Sequence, residues 1–328
     1  MDLNFSFSGR RAKPASRAIA TALTFFLAAC GSLVEVVSPL EIAGAEAKLS
    51  VHSFISPQDT LIRVYVLESV PIFSLETGNE RQVLRGASVK LDGIPLPFDS
   101  TLLAYTIRPF RLGGIKAGNT YHLVVEEGNR RVEARTTVPE VPAAISSYRI
   151  DTSYASLRGN FSRQDTTLAV QFSWPDPAAT EDYYRVSGTA HAIASYLTTD
   201  ENGKSVVRRG QVTIALFWDD NFGRSEFQSD VNANGGTMQS PTGRVRIERP
   251  VFYTNNGVPV QEEPPHVTGI TLNLHRTDRH YFQYHRTIDQ HEMAADNPFA
   301  EPVLVYSNVI GGLGVFASYN SFSIVVKP

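Results

Sequence analysis

Five of the eight histidines, His266, His275, His280, His285 and His291, fall within 26 residues of one another, and imidazole is the side chain that most often holds a transition metal. Their spacing argues against a shared ion. On a helix His280 and His291 lie near one face, yet eleven residues at 1.5 Å of rise separate them by roughly 16 Å. No pair has the i, i+4 spacing that lets two imidazoles converge, and His291-Glu292 lacks the second histidine of a zincin motif. His275 falls on the polar face of a strand. The expectation is surface or packing histidines, with a metal site built from distant partners as the alternative.

The other chemistry-bearing clusters read similarly. Trp218-Asp219-Asp220-Asn221-Phe222-Gly223 is rich in oxygen ligands, but Gly223 stands where an EF-hand loop needs a ligand and Arg224 where it needs glycine, so a β-turn is expected. Gly311-Gly312-Leu313-Gly314 has no strand-to-helix context and no following Lys-Ser/Thr, so a tight strand connection is expected rather than a phosphate cradle. Glu262-Glu263 precede Pro264-Pro265 and read as solvated loop carboxylates rather than a glycosidase pair. Tyr253, Tyr281 and Tyr284 have the faces to stack on sugars, although aromatics in β-rich chains usually pack cores. There is no G-x-S-x-G elbow. No catalytic, cofactor-binding or metal-ligating residue is assigned on these grounds.

The single thiol, Cys30, is the exception. Arg10, Arg11, Lys13 and Arg17 form a basic stretch, followed by the apolar run Ala18–Ala29, which is the length of a signal-peptide core and too short to span a bilayer. Leu27-Ala28-Ala29-Cys30 resembles the bacterial lipobox. In that motif the thiol receives a diacylglycerol, the chain is cut between Ala29 and Cys30, and the new amino terminus is acylated, typically with palmitate. An ordinary secretory signal or a short membrane anchor, with an incidental cysteine, is the alternative. The hydrophobic residues expected after a twin-arginine pair are missing behind Arg10-Arg11. Cleavage would remove Asp2 and the four basic residues, leaving 26 basic and 32 acidic side chains and a net charge of -6. Acyl chains at one end suffice for stable anchoring. Gly31 follows the cysteine where an aspartate would resemble an inner-membrane retention signal, which favours the outer membrane.

These residues sit in a chain of 328 with near-balanced charge, 30 basic against 33 acidic. That balance lacks the basic excess of a nucleic-acid binder, and one cysteine allows neither an internal disulfide nor a multi-thiolate metal site. Residues 30–47 read as a tether. From 48 to 139 strand patterns recur near 48–56, 60–67, 87–91, 102–108, 120–126 and 130–138, with Glu127-Gly128-Asn129 as a hairpin whose Gly and Asn supply positive φ. That density predicts an immunoglobulin-like or transthyretin-like β-sandwich. Pro139-Glu140-Val141-Pro142 reads as a domain boundary. A larger antiparallel β domain is expected over 143–328, with Leu168, Val170, Phe172 and Trp174 on one face of a strand and Ile270, Leu272 and Leu274 on one face of another. Ser225–Gly243 reads as a long loop. A surface helix is expected over about 277–295, capped by Thr277 and packed through Tyr281, Phe282, Tyr284 and Ile288, followed by strands at Val315–Tyr319 and Ser321–Val326.

The run Asn297-Pro298-Phe299-Ala300-Glu301-Pro302, continuing to Gly311-Gly312-Leu313-Gly314-Val315-Phe316, resembles the closing signature of the Bacteroidota lipoproteins called "domain of unknown function 4249". The resemblance extends to the layout of lipobox, amino-terminal sandwich, proline joint and β-rich second half. It implies no catalytic residues. It implies an outer-membrane lipoprotein whose genes neighbour those of TonB-dependent receptors, and hence an accessory or ligand-capture partner of such a transporter, facing periplasm or cell surface. A cell-envelope carbohydrate- or peptide-processing enzyme and a structural envelope-assembly protein are the other expectations.

Overall fold

Alternation along the first ordered strand already divides the fold into layers. In Leu49–Ile55 the side chains of Leu49, Val51 and Ile55 are buried on one face, while Ser50, His52 and Phe54 occupy the other. The computed structural model describes residues 47–69, 82–156, 164–178, 180–219, 225–231, 234–247, 251–253, 259–295, 301 and 303–328. The lipobox with Ala29 and Cys30, the tether through residue 46, and Asp220–Gly223 lie outside them.

The first half contributes β1 (Leu49–Ile55), β2 (Ile62–Glu68), β3 (Ser88–Leu91), β4 (Ile94–Leu96), β5 (Phe98–Asp99), β6 (Ala104–Ile107), β7 (Thr120–Glu127) and β8 (Arg130–Thr137). The second half contributes β9 (Ser147–Ser156), β10 (Gln164–Pro175), β11 (Tyr183–Thr199), β12 (Ser205–Ala215), β13 (Phe217–Trp218), β14 (Phe227–Ser229) and β15 (Thr237–Gln239). It continues with β16 (Gly243–Ile247), β17 (Val251–Tyr253), β18 (Pro259–Gln261), β19 (His266–Thr277), the helix α1 (Arg279–Ala295) and β20 (Leu313–Val326). The expected mainly-β class with one helix near the carboxyl end is the observed one.

One nine-stranded sheet organises the rest, in the order β12-β11-β19-β20-β1-β2-β6-β5, with β14 beside β11. Its neighbours are antiparallel except at the middle, where β1 and β20 run parallel from Ser50 opposite Leu313 to Ile55 opposite Ser318. The four-stranded sheet β4-β3-β7-β8 covers one end of this sheet, enclosing Val64, Leu91, Leu123, Val125, Val132 and Phe316. A five-stranded sheet centred on β10 covers the other end of the same face, where Phe172 and Trp174 meet Tyr184, Val186, Leu272 and Leu274. The proline joint indeed falls between β8 and β9, yet the long sheet draws strands from both sides of it. Asn320 Nδ2 on β20 donates to Pro139 O at 3.1 Å, and Thr136 Oγ1 on β8 is hydrogen-bonded to Ser318 Oγ at 2.7 Å. Ala47–Pro328 is one compact unit.

Glycines explain how β20 approaches β1. A Cβ at Gly312 would lie 2.5 Å from Leu49 O, and one at Gly314 only 2.1 Å from Val51 O, with Gly314 at φ 102°. Gly-Gly-Leu-Gly is therefore the entry of the last strand into the sheet beside the first.

Several local expectations are corrected. Only Gly128 of the β7–β8 turn has positive φ (60°), which is the pattern of a type II′ turn. Ser225–Gly243 contains β14 and β15 rather than being all loop. The last two expected strands are one, because Asn320 is carried within the β19–β20 ladder. Thr277 ends β19, and Asp278 caps α1 instead, with Tyr281 N donating to Asp278 Oδ1 at 2.7 Å. The helix is two residues shorter at its start for that reason.

A candidate ligand cleft beside the helix

The face of the long sheet opposite the two smaller sheets carries the polar half of each strand's alternation: Ser50, His52 and Phe54 from β1, Arg63 and Tyr65 from β2, Tyr183, Arg185 and Ser187 from β11, Asn273 and His275 from β19, and Tyr319 from β20. The helix α1 lies over part of this face. Tyr281, Phe282 and Tyr284 bury against Tyr183, Phe227, Val315 and Ala317, with Phe54 and Ile288 alongside. The expected packing face of the helix is the observed one. Irregular residues 303–309 run along its outer side, held where His280 Nδ1 meets the Tyr306 hydroxyl (2.7 Å) and His291 Nδ1 meets Val303 O (2.9 Å).

Beside the helix lies a half-buried cation. Arg185 Nη1 donates to the Tyr281 hydroxyl at 2.6 Å, its Nη2 lies 3.5 Å from Glu226 Oε1, and its guanidinium stacks 5.2 Å from the centre of Phe227. Its Nε has no partner among the described residues. His285 is stacked between Phe54 (5.2 Å) and Phe227 (5.1 Å), and His275 is hydrogen-bonded through both ring nitrogens, to Ser187 Oγ (2.9 Å) and Ser321 Oγ (2.6 Å). Burial pushes both imidazoles down to about 4, and the Arg185 charge adds to the fall. They are neutral packing groups at neutral pH.

Where the helix leaves β1 and β2 uncovered, a cleft of about 700 Å³ opens, lined by Ser50, His52, Tyr65, Leu67, Glu68, Ser69, Val83, Leu102, Leu103 and Tyr284. A second hollow of about 240 Å³ adjoins it and shares His52 and Tyr65, with Asp59, Arg63 and Tyr319 on its far wall. His52 is held on both sides, by Ser50 Oγ and by the Tyr284 hydroxyl, each at 3.0 Å. Tyr65 is 40% exposed and presents a ring to the opening. Leu103, on the wall, has φ of 50°, a conformation a leucine adopts only under constraint. Burial holds the Asp59 carboxyl above its usual range, against the opposing pull of the Ser56 amide, Tyr319 and Arg63. The Tyr319 hydroxyl is pushed up to about 12 by burial first and by the Asp59 charge next. The walls combine one aromatic face, hydroxyls, an imidazole and aliphatic patches, and the size is that of a small-molecule site.

Of the residues singled out from sequence, Tyr281 and Tyr284 belong to this region, Tyr284 on the cleft wall and Tyr281 buried behind it; Tyr253, on β17, is exposed and lines neither hollow. The five histidines each have their own surroundings, and His266 and His291 are exposed. Glu263 pairs with Arg209 at 3.0 Å while largely exposed, and Glu262 accepts from Ser195 Oγ at 3.1 Å. Asp219 accepts from Arg244 Nε at 2.7 Å. His52, Tyr65 and Arg185 each read in a strand as the solvent-side half of a period-two pattern, and Asp59 reads as an ordinary residue of the β1–β2 turn; only the fold brings them together beside the helix. Among the described residues no helix is long and apolar enough to cross a membrane.

No curated protein and no solved structure matches the chain. Residues 35–324 match the family described as Domain of unknown function (DUF4249), so the chain belongs to that family.

Proposed function

We propose that the chain is an outer-membrane lipoprotein, anchored through Cys30, that captures a ligand in the cleft beside α1 as the accessory partner of a TonB-dependent transporter. One observation carries the reading: the apolar run ending in Leu27-Ala28-Ala29-Cys30 stands only five residues before the start of the family match at residue 35. A short tether thus links a lipid attachment point to the folded unit. Anchoring would hold the cleft in the membrane plane and raise its local concentration beside a transporter, so weak contacts would suffice. A ligand suited to these walls is small and amphipathic, with a flat apolar face for Tyr65 and Leu102 and hydroxyls or amides for Ser50, His52 and Glu68. Sugars and short peptides have that character. The processing-enzyme reading draws less support, because the shifted groups lining the hollow, Asp59 and Tyr319, are hydrogen-bonded to each other.

Acyl labelling and co-purification test the proposal together. The wild-type chain is expected to incorporate labelled palmitate and Cys30→Ala is not, and the wild-type protein, extracted in mild detergent, is expected to bring a transporter with it. Recovery of the wild-type chain alone from several mild detergents, or equal palmitate labelling of Cys30→Ala, would overturn it.

A further inference from the structure

Two loops rich in oxygen-bearing side chains meet at the end of the second sandwich. Asp176-Pro177-Ala178 and Thr180-Glu181-Asp182 belong to the β10–β11 connection, and Asp230 and Asn234-Gly235-Gly236 to the β14–β15 connection. Their backbones are joined: Asp176 N donates to Gly236 O (2.8 Å) and Asp230 N to Asp182 O (3.1 Å). This brings the carboxylates of Asp176, Asp182 and Asp230 together, with one oxygen of each within 4.8 Å of the others. All three are buried, at 6%, 4% and 1% exposure.

The partners of these oxygens are unequal. Asp176 accepts from the Tyr184 hydroxyl (2.7 Å) and from Gly235 N (3.0 Å). Asp182 accepts from Thr180 Oγ1 (2.9 Å) and from Arg276 Nε (2.8 Å). Asp230 is the most deeply buried, and among the described residues neither of its carboxylate oxygens meets a donor at full hydrogen-bonding geometry, although the backbone amides of Asp182 and Asp230 lie close enough to favour its charge. Three carboxylates against one guanidinium leave the cluster short of positive charge. A buried carboxylate short of donors is tolerated only when it takes up a proton or meets a cation. The charges of Asp176 and Asp182 beside it draw a cation to the same place.

We propose that Asp176, Asp182 and Asp230 bind one divalent cation of the calcium class, which clamps the β10–β11 loop to the β14–β15 loop. The ligand atoms are all hard oxygens, which disfavours zinc and copper. Oxygens sharing a calcium ion at 2.3–2.6 Å lie no more than about 5 Å apart, and the three carboxylates fall within that limit; a set of protein carboxylates also suits calcium better than magnesium, which usually keeps several waters. None of the three aspartates lines the cleft or the hollow beside it.

The full chain in detergent, stripped of metal with a chelator, tests the clamp. Calcium chloride at about 100 times the dissociation constant, which for such modules is roughly millimolar or below, is expected to raise the melting midpoint by about 5 °C. Terbium is expected to give luminescence sensitised by Tyr184 and lost on adding calcium. Asp230→Asn removes an unpaired charge, so it is expected to melt at or above the stripped wild type, with calcium binding weakened at least 100-fold. No midpoint shift with calcium up to about 10 mM, or a calcium response retained in Asp230→Asn, would overturn the proposal. If that variant does not fold, the terbium titration of the wild type still decides: absence of calcium-displaceable luminescence overturns it. A stripped wild type that is stabilised only by lowering pH would show that a proton takes the cation's place, and would also overturn it.

Discussion

At Gly314 a side chain and the backbone of β1 would compete for one space, since a Cβ there meets Val51 O at 2.1 Å and φ is 102°. Gly314→Ala is therefore expected to cost about 3 kcal/mol in urea denaturation, while Gly269→Ala, whose added Cβ finds only ordinary contacts at 3.6 Å, stays within about 0.5 kcal/mol. Equal effects at the two positions would show that β20 can move off β1 at no cost. Tyr281 tests the half-buried cation in the same way. Tyr281→Phe keeps the ring packing but leaves Arg185 Nη1 without its 2.6 Å acceptor, and should cost about 2 kcal/mol, as for other hydrogen bonds to charged groups; an unchanged midpoint would mean Glu226 alone satisfies the guanidinium. Sequence reading placed Tyr281 on the packing face of the helix from its periodicity. Arg185 was invisible to it, because period-two alternation marks a residue as facing away from one core without telling that a second layer covers it. The three aspartates were missed for a related reason. They come from two connections separated by four strands, and each loop alone resembles ordinary turn chemistry.

The helix α1 converts a strand's polar face into an interior, and this has a pH signature. His275 and His285 are pushed down to about 4 in the folded protein against 6.5 as the ordinary value. The folded state thus binds fewer protons than the unfolded chain between those values, so the associated stability is complete above about pH 6.5 and is lost as pH falls toward 4. The loss by pH 5 should be on the order of 1–2 kcal/mol per histidine. Asp59, Glu226 and Asp278 have carboxyls raised by burial; they take up protons in the folded state first and so offset the loss in the more acid range. The window from pH 6.5 to 5 is therefore where the histidines dominate. Urea melts at pH 7, 6 and 5 should show declining stability, and His285→Gln should roughly halve the slope; a flat profile would mean the imidazoles gain protons without leaving their aromatic neighbours. Helix existence, extent and packing residues were legible from the sequence to within two residues. Its cap was not, because Thr277 and Asp278 are equally good capping side chains, and the β19–β20 ladder, which extends through Thr277 opposite Tyr319, decides between them.

On the scale of the whole molecule, six of the eight strands in the first half were legible to within about two residues, the short β4 and β5 were not, and neither were the strands' neighbours. Turn chemistry announces a hairpin such as β7–β8, whereas a parallel contact between the first and last strands leaves no local mark. The glycines that permit it look from sequence like a turn. The consequence is that the amino-terminal sandwich borrows β20: Phe316, fully buried, sits in the same core as Val51, Val64 and Leu123, and Val309 joins it. Removing residues after Pro142 would leave β1 with an open edge of unpaired backbone groups and a hole the size of a phenylalanine, a loss of about 3–5 kcal/mol from that side chain alone. Most domains of this size are stable by only 5–15 kcal/mol. A fragment spanning 47–142 is accordingly expected to show no cooperative thermal transition and a collapsed amide spectrum. Adding a peptide covering 307–326 in trans is expected to restore at least part of the dispersion, since that segment carries both the missing strand and Asn308, which brackets Phe316 through 2.7 and 3.0 Å hydrogen bonds. A well-dispersed spectrum and a sharp melt from the fragment by itself would show instead that the proline joint separates two self-sufficient units, with β20 an addition to a core that is already complete.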